Sequence, residues 1–246
     1  MTATPAWPPA STPRLFVDRP LGPGMVLTLD GAPANYLANV MRLKPGDPVR
    51  LFDDRTGEWL AEVAMATRRA ITLKLAGALR PREEVPDLWL LFAPIKKGRI
   101  DWLVEKATEL GIARLQPVVT QRTIVDRLNL DRLRAHAIEA AEQCDRTALP
   151  VLNEPAKLGM LLRGWPAERP LLFADEAGGL PLADVARPGA AAILIGPEGG
   201  FTDEERAQIR RTPGAIGISL GPRILRAETA AAAAIAGWMA TAGDWR

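Results

Sequence analysis

Short apolar runs alternate with amphipathic segments from residue 88 to the end of this 246-residue chain. The runs predict buried strands, and the apolar spacing between them predicts helices. Strands that alternate with helices form a mostly parallel sheet covered on both faces, because each parallel connection must cross the sheet. The predicted strands are LWLLFAP, ARLQPVV, LLFAD, AAILIG and AIGISLG, and the predicted helices are 99–110, 131–147, 202–211 (with a Thr202/Glu205 capping box) and the segment after Ala227.

The front of the chain has a different pattern. Alternating runs from Arg14 to about Leu75 predict a small β-barrel with a hairpin turn at 55–57, and NYLANVMRL (35–43) predicts one helix within it. Two prolines and a charge cluster without periodicity predict a boundary after this barrel. We therefore expect a loose leader at 1–13, a barrel at 14–75, a linker at 76–87 and an α/β domain at 88–246.

The basic residues are unevenly distributed. The net charge is only +2, which is weak evidence for a nucleic-acid partner. Many of the basic side chains nevertheless lie in or near the first hundred residues, which favours a polyanion partner for that half. They are Arg42, Lys44, Arg68, Arg69, Lys96, Lys97 and Arg99.

Cysteine content and the terminal segments bear on location. A single cysteine, Cys144, excludes an intrachain disulfide and a cysteine-only metal site. The first sixteen residues lack the basic and apolar regions of a signal peptide, and the apolar stretch 230–240 is too short to span a bilayer. These features predict a cytoplasmic protein.

The first candidate for a ligand-binding segment is ILIGPEGGFTDEE, where a predicted buried strand runs into Gly196-Pro197-Glu198-Gly199-Gly200. Three glycines in five residues are tolerable where a ligand approaches the backbone, although a plain strand-to-helix turn is the alternative. The end of a strand in an α/β sheet is also the usual place for a ligand. The spacing fits neither a dinucleotide fold nor a P-loop, which disfavours hydride transfer and nucleotide hydrolysis.

The second segment is ISLGPRILRAETAAAAAI, where a strand ends at Leu220-Gly221-Pro222 before the last helix. Arg223 and Arg226 precede that helix, although helix N-termini favour acidic residues. Ligand binding is one reason for such cations, and a surface salt bridge to Glu198 or Glu228 is the other.

The lone histidine, His136, predicts no catalytic triad and no zinc site, because it lacks partners. It belongs to a polar helix stripe with Arg132, Glu139, Gln143 and Arg146. Exposed polar surface is the preferred interpretation, and an RNA-facing role is the alternative.

The ordered motifs IGPEGG and LGPRILRAET resemble the SPOUT superfamily, specifically the RsmE-like family of ribosomal RNA uridine-N3 methyltransferases. VEKATELGI, AAEQCDR and YLANVMRLKPGDPVRLFDDRTGEW are similar to that family as well, so the resemblance covers the chain from Arg14 onward. One departure is Asn35, which stands where the family usually has histidine. A neutral hydrogen-bonding group would then replace the histidine in any RNA contact there.

The resemblance implies a PUA-like barrel followed by a trefoil-knotted α/β domain, a homodimer, and S-adenosyl-L-methionine as cofactor. We expect the cofactor to bind without metal, because the sequence contains no cluster of metal ligands. It implies methylation of N3 of a uridine in small-subunit (16S) ribosomal RNA, as naked RNA or in an assembled subunit. The expected cofactor residues are Ile195, Gly196, Pro197, Gly200, Leu220, Gly221, Leu225 and Arg226.

For catalysis we expect Arg226 to stabilise the uracil anion, and Glu228 to position Arg226 or accept the proton. Phosphate contacts are expected from Arg14, Arg42, Lys44, Lys96 and Arg99. Two alternatives stay open: a non-catalytic RNA-binding assembly factor, and a related transfer RNA or ribose 2′-O methyltransferase. The intact glycines and arginines disfavour the first, and only the family resemblance disfavours the second.

Overall fold

The computed structural model describes residues 12–125 and 127–245, so most of the predicted leader lies outside the described residues. The chain divides into two compact units. Of the described residues, unit 1 holds 12–84 and 141–148, and unit 2 holds 85–125, 127–140 and 149–245. The first boundary falls inside the predicted linker. The short segment 141–148, which we expected in the α/β domain, belongs to unit 1 instead.

Unit 1 is built on a mixed five-stranded sheet with the order β1-β3-β4-β5-β2. β1 and β3 are parallel, and the other neighbouring pairs are antiparallel. Within the described residues β1 and β2 do not pair, so the predicted barrel is a half-barrel. The strands are β1 (Arg14–Phe16), β2 (Val26–Asp30), β3 (Pro48–Phe52), β4 (Glu58–Ala66) and β5 (Ala70–Arg80), and helix α1 (Gly31–Asn35) continues into a π-helical turn (Tyr36–Val40).

The predicted hairpin joins β3 to β4. Asp53 holds this turn, because its carboxylate accepts hydrogen bonds from the backbone N–H of Leu21, Arg55 and Thr56 and from the Thr56 hydroxyl. Burial raises the pKa of Asp53, but these donors outweigh it and lower the pKa below its ordinary value. Gly57 follows with φ of +101°, a conformation that glycine adopts at low cost.

A buried charge cluster explains why 141–148 belongs to unit 1. The Arg14 guanidinium donates to Glu58 Oε1 at 2.5 Å and to the carbonyls of Ala141 and Arg146 at 2.6 Å each. Asp145 adopts φ of +62° and pairs with Arg50 Nη1 at 2.9 Å. The helix predicted to reach residue 147 therefore ends earlier, at residue 143.

Unit 2 is an α/β domain whose strands pair in parallel, which confirms the predicted sheet. Its order is β11-β13-β10-β12-β6-β7-β8, and β9 also pairs with β7. The strands are β6 (Leu88–Phe92), β7 (Arg114–Val119), β8 (Val151–Leu152), β9 (Ala156–Lys157), β10 (Leu171–Ala174), β11 (Leu180–Pro181), β12 (Ala191–Ile195) and β13 (Ala215–Ser219). The helices are α2 (Arg99–Glu109), α3 (Leu130–Gln143), α4 (Leu158–Arg163), α5 (Leu182–Val185), α6 (Asp203–Arg211) and α7 (Ala227–Thr241), and the last three residues of α3 belong to unit 1.

Helix ends follow the sequence signals. Thr202 caps α6 by accepting from the Glu205 N–H at 3.2 Å, and the Glu205 carboxylate accepts from the Thr202 N–H at 3.0 Å. This reciprocal pair confirms the predicted capping box.

The alanine-rich α7 packs into the main core of unit 2 through buried residues such as Ala231, Ala234 and Trp238. Across residues 12–125 and 127–245, no helix is both long and apolar enough to cross a membrane.

Candidate functional site

A cleft opens in unit 2 where β12 and β13 end. It has a volume of about 440 Å³, within the usual range for small-molecule sites. The glycine segment after β12 (residues 196–200, the first loop) and the segment after β13 (residues 220–226, the second loop) form much of its wall. All eight residues expected to bind a cofactor line this one cleft, namely Ile195, Gly196, Pro197, Gly200, Leu220, Gly221, Leu225 and Arg226.

Glycine is needed in the first loop for space and for conformation. A Cβ on Gly196 would lie 3.1 Å from Phe201 Cε2, closer than an ordinary contact. Gly200 adopts φ of +68°, and its N–H donates to the Pro197 carbonyl at 2.9 Å. A Cβ on Gly200 would also lie 2.5 Å from Glu176 Oε1. The loop thus keeps side chains out of a place that a ligand can enter.

The second loop presents cations and one apolar side chain. Gly221 turns the chain with φ of +108°, and Ile224 is 95% exposed. Arg223 and Arg226 are exposed and line the cleft, and neither forms an ion pair with any residue that the structure describes. Arg226 is the N-cap residue of α7 with extended backbone. Two free guanidinium groups therefore stand at the mouth of the cleft.

The acids near this loop pair differently from expectation. Arg99 Nη1 lies 3.1 Å from Glu198 Oε1, and Arg99 Nε lies 3.7 Å from Glu228 Oε1. Among the described residues, Glu198 and Glu228 thus form their ion pairs with Arg99, and neither pairs with Arg223 or Arg226. Glu228 is buried, and its Oε2 has no hydrogen-bond partner within the described part of the chain.

Sequence reasoning missed two acids that follow β10, Asp175 and Glu176. Both line the cleft, together with Arg206 of α6. Asp175 is buried and pairs with Arg206 and with Arg210 Nη2, the latter at 2.6 Å. Glu176 Oε1 lies 3.2 Å from Arg206 Nη2. Two consecutive acids directly after a predicted buried strand, at the edge where ligands bind, were the available signal.

The arginine between these acids stays firmly charged. Burial alone would lower the pKa of Arg206, but the carboxylates of Asp175 and Glu176 raise it above its ordinary value. Asp175 also accepts from the Ala177 N–H at 3.1 Å. The acids at the end of β10 are therefore tied to α6, the helix that follows the first loop.

The residues expected to contact RNA fall into two groups. Arg42 and Lys44 in unit 1 and Lys96 in unit 2 are exposed, so their charges are accessible to phosphate. Arg14 is 6% exposed, and its donors are taken by Glu58 and backbone carbonyls, so its role is within unit 1. Arg99 is engaged with acids beside the cleft.

Asn35 and His136 each contact polar residues of their own unit. Asn35 Oδ1 accepts from Asn39 Nδ2 at 2.9 Å on the exposed surface of unit 1. His136 is only partly exposed, with Nδ1 3.3 Å from Glu105 Oε1 and Nε2 3.6 Å from Asp101 Oδ1. Arg146, expected on the same polar stripe, is buried instead. In the described part of the chain, no group of three or more histidine, cysteine or acidic residues is placed to hold a metal ion.

Comparisons with known families match both parts of the chain. A family model described as an RNA methyltransferase domain matches residues 82–239. A second, described as an RNA methyltransferase PUA domain, matches residues 29–76. The first match alone covers more than half of the chain, and the cleft lies within it.

Curated relatives and solved structures point to the same family. The "Ribosomal RNA small subunit methyltransferase E" of Rickettsia conorii is 32% identical over 207 residues, which are 82% of this chain and 84% of the relative. The protein of that name from Synechocystis sp. is 32% identical over 85% of this chain and 71% of the relative.

Among solved structures, the Neisseria gonorrhoeae methyltransferase E bound to S-adenosyl methionine superposes with a TM-score of 0.88 at 29% identity, covering 96% of this chain and all of that one. A Legionella pneumophila protein in complex with the cofactor SAM gives a TM-score of 0.87 at 30% identity, covering 95% and 99% of the two chains. These matches confirm the RsmE-like resemblance, the PUA-like front and the SPOUT-type fold, while the trefoil knot stays a prediction. This chain therefore belongs to the RNA methyltransferase family of the ribosomal RNA small subunit methyltransferase E proteins.

Proposed function

We propose that this protein transfers the methyl group of S-adenosylmethionine to N3 of a uridine in small-subunit (16S) ribosomal RNA. The observation that carries the proposal is the convergence of both glycine loops on one cleft, in a chain that belongs to this methyltransferase family. Relatives solved with the cofactor bound support the same assignment. When bound, the cofactor supplies an electrophilic methyl on its sulfonium.

The residues of the cleft suit such a cofactor. Gly196, Gly200 and Gly221 line the cleft, and glycine allows a ligand such as an adenine edge to approach the backbone closely. Ile195 and Leu225 provide apolar wall, and Glu176, Arg223 and Arg226 provide charged groups. A site of this kind combines apolar lining with a few polar anchors, as small-molecule sites generally do.

Arg226 is proposed as the group that helps the reaction at uracil. The N3–H is a weakly acidic imide, and methylation at N3 needs its proton removed and the resulting charge on the flanking carbonyl oxygens stabilised. The Arg226 guanidinium is exposed, lines the cleft and forms no ion pair with any described residue. Its fork of donors can therefore stabilise the anion in the transition state.

Glu228 is proposed as the acceptor of the N3 proton. Arg99 holds one of its oxygens, and the other is buried without a partner among the described residues. Buried polar atoms without a partner are uncommon and call for a reason, and a catalytic role is one. Glu228 does not itself line the cleft, so the proposal requires that RNA binding expose this oxygen to the N3 proton.

RNA is proposed to bind through phosphate contacts from Arg42, Lys44 and Lys96, which are exposed. Such contacts position an RNA without reading its sequence. We propose further that the protein acts in the cytoplasm as a homodimer, on ribosomal RNA alone or within the assembled small subunit. The dimer rests on the family resemblance.

A transfer assay tests the proposal. Purified protein is incubated with methyl-labelled S-adenosylmethionine and, in separate reactions, small-subunit RNA, assembled subunits that lack the modification, or transfer RNA. The nucleosides are then analysed by mass spectrometry. Label in 3-methyluridine is the expected result. Label in a 2′-O-methylribose, or in transfer RNA alone, would replace the proposal with one of the related methyltransferase activities.

A further inference from the structure

The site has a central strand, β10. β10 lies between β12 and β13, the two strands that carry the loops. All three run in parallel, so their carboxyl ends meet at one edge of the sheet. The residues that follow β10, Asp175 and Glu176, therefore stand between the first loop and the second loop. A ligand that touches both loops has to pass over them.

Only one of these two acids is available to a ligand. The buried Asp175 uses Oδ1 for Arg206 and the Ala177 N–H, and Oδ2 for Arg210. The Glu176 side chain is 57% exposed, and its one ion pair with a described residue joins Oε1 to Arg206 Nη2 at 3.2 Å. Asp175 is thus a positioning residue for Arg206, and Arg206 in turn holds the Glu176 carboxylate in place.

The first loop is shaped around the same carboxylate. Gly200 has φ of +68°, and a side chain there would meet Glu176 Oε1 at 2.5 Å from Cβ. Glycine at this position lets the carboxylate lie against the loop backbone inside the cleft. The contact joins the middle strand to the loop that is proposed to hold the cofactor.

The charges around Glu176 determine which hydrogen-bond donors of a ligand it can accept from. Asp175 and Glu176 are balanced by Arg206 and Arg210, so the cluster is neutral as a whole. An ammonium group brought to Glu176 would also approach the Arg206 guanidinium and be repelled by it. Neutral hydroxyl donors meet no such repulsion, and a carboxylate at the end of a strand beside a glycine loop suits ribose hydroxyls.

We infer that Glu176 accepts hydrogen bonds from the ribose hydroxyls of the adenosyl cofactor. This inference rests on the proposed function, because it assumes that the cofactor occupies the cleft. The ribose is the middle part of that molecule, between the adenine and the methionine end. It therefore falls at the middle strand when the two ends reach the two loops.

Calorimetric titration tests the inference with the full chain and the variants Glu176→Gln and Glu176→Ala. The probes are S-adenosylhomocysteine, methylthioadenosine (which lacks the amino-acid part), and the 2′-deoxy and 3′-deoxy forms of methylthioadenosine. Glu168→Gln is the matched control, because Glu168 is an exposed acid of unit 2 that does not line the cleft. Thermal melting of each variant checks that it is folded.

The expected result is a loss of about 10-fold or more in affinity for both S-adenosylhomocysteine and methylthioadenosine on Glu176→Ala, and a smaller loss on Glu176→Gln. Removing one hydroxyl should weaken binding to the unmodified protein but have little further effect on Glu176→Ala. Glu168→Gln should bind all probes normally.

Four results would overturn the inference. Equal sensitivity to the missing hydroxyl with and without Glu176 would show that the carboxylate does not contact the ribose. A loss for S-adenosylhomocysteine alone would assign Glu176 to the ammonium group. If the unmodified protein bound none of the probes, the proposed function would fail and this inference with it, whereas normal binding by folded Glu176→Ala would remove this inference alone.

Discussion

Arg226 combines an exposed guanidinium with a fixed backbone position, since it caps the last helix at the mouth of the cleft. Lysine keeps the charge but loses the planar fork that fits a developing oxyanion. We predict that Arg226→Lys lowers kcat by about 100-fold or more, which is typical for the loss of one such donor. Affinity for S-adenosylhomocysteine should change by no more than a few-fold, as measured by calorimetry.

The matched control is Arg211→Lys, an exposed arginine of α6 that does not line the cleft, and it should turn over normally. Near-normal methylation by Arg226→Lys would remove Arg226 from the chemistry. Loss of cofactor binding instead would place Arg226 in the cofactor pocket, and Arg223 or Glu228 would then be the better catalytic residue.

Residues of the site were predictable to the extent that they carry a local signal. The loop residues stand out because glycine and proline clusters after an apolar run are rare and have a backbone consequence. Glu176 has no such signal, since its importance depends on which strands flank β10. Arg14 and Arg99 looked like free cations in the sequence, but their partners Glu58 and Glu198 are distant along the chain.

At the scale of elements, the β3–β4 hairpin depends on one glycine. Gly57 has φ of +101°, and a Cβ there would lie 2.3 Å from the Arg80 carbonyl oxygen. The positive φ and the nearby carbonyl oxygen both disfavour any side chain at residue 57. Gly57→Ala is therefore expected to lower the free energy of unfolding of unit 1 by more than about 2 kcal/mol. Denaturant unfolding followed by tryptophan fluorescence measures this, because Trp59 is buried in the same unit.

Gly77→Ala provides the comparison, since Gly77 lies in the neighbouring strand β5 and a Cβ there meets no atom within 4 Å. That variant should be neutral or more stable by up to about 1 kcal/mol. Similar stability of the two variants would show that the hairpin tolerates rearrangement at Gly57.

Most elements could be predicted from periodicity and end signals, as the α6 capping box shows. The order in which strands lie in the sheet could not, because alternation along the chain leaves the order open. The same limit explains the segment 141–148. Its place in unit 1 depends on hydrogen bonds from Arg14 to the backbone more than 120 residues away, which no local pattern contains.

At the scale of the whole molecule, we predict that the affinity for RNA depends strongly on salt concentration and the affinity for the cofactor does not. Arg42 and Lys44 are exposed, and each phosphate contact releases counterions when it forms. Replacing both with glutamine should reduce the slope of log affinity against log salt concentration by about 1.5, as measured by fluorescence anisotropy with a small-subunit RNA fragment. Affinity for S-adenosylhomocysteine should be nearly independent of salt. An unchanged RNA slope would show that these two cations are only a solvated surface.

A homodimer is the second prediction at this scale. Small side chains permit close packing between helices, but Ala231 and Ala234 of α7 pack into the core of their own unit. The prediction therefore rests on the family resemblance. Light scattering at low micromolar concentration should give twice the mass of one 26.6 kDa chain. A monomer that still methylates RNA would end this prediction.

The central claim is that this chain methylates N3 of a uridine in small-subunit ribosomal RNA through the cleft of unit 2. Mass spectrometry of nucleosides from the small-subunit RNA of a deletion strain tests it most directly. We predict that 3-methyluridine disappears, returns when the unmodified gene is restored, and does not return with Arg226→Lys. An unchanged amount of 3-methyluridine in the deletion strain, with a different methylated nucleoside missing, would contradict the claim.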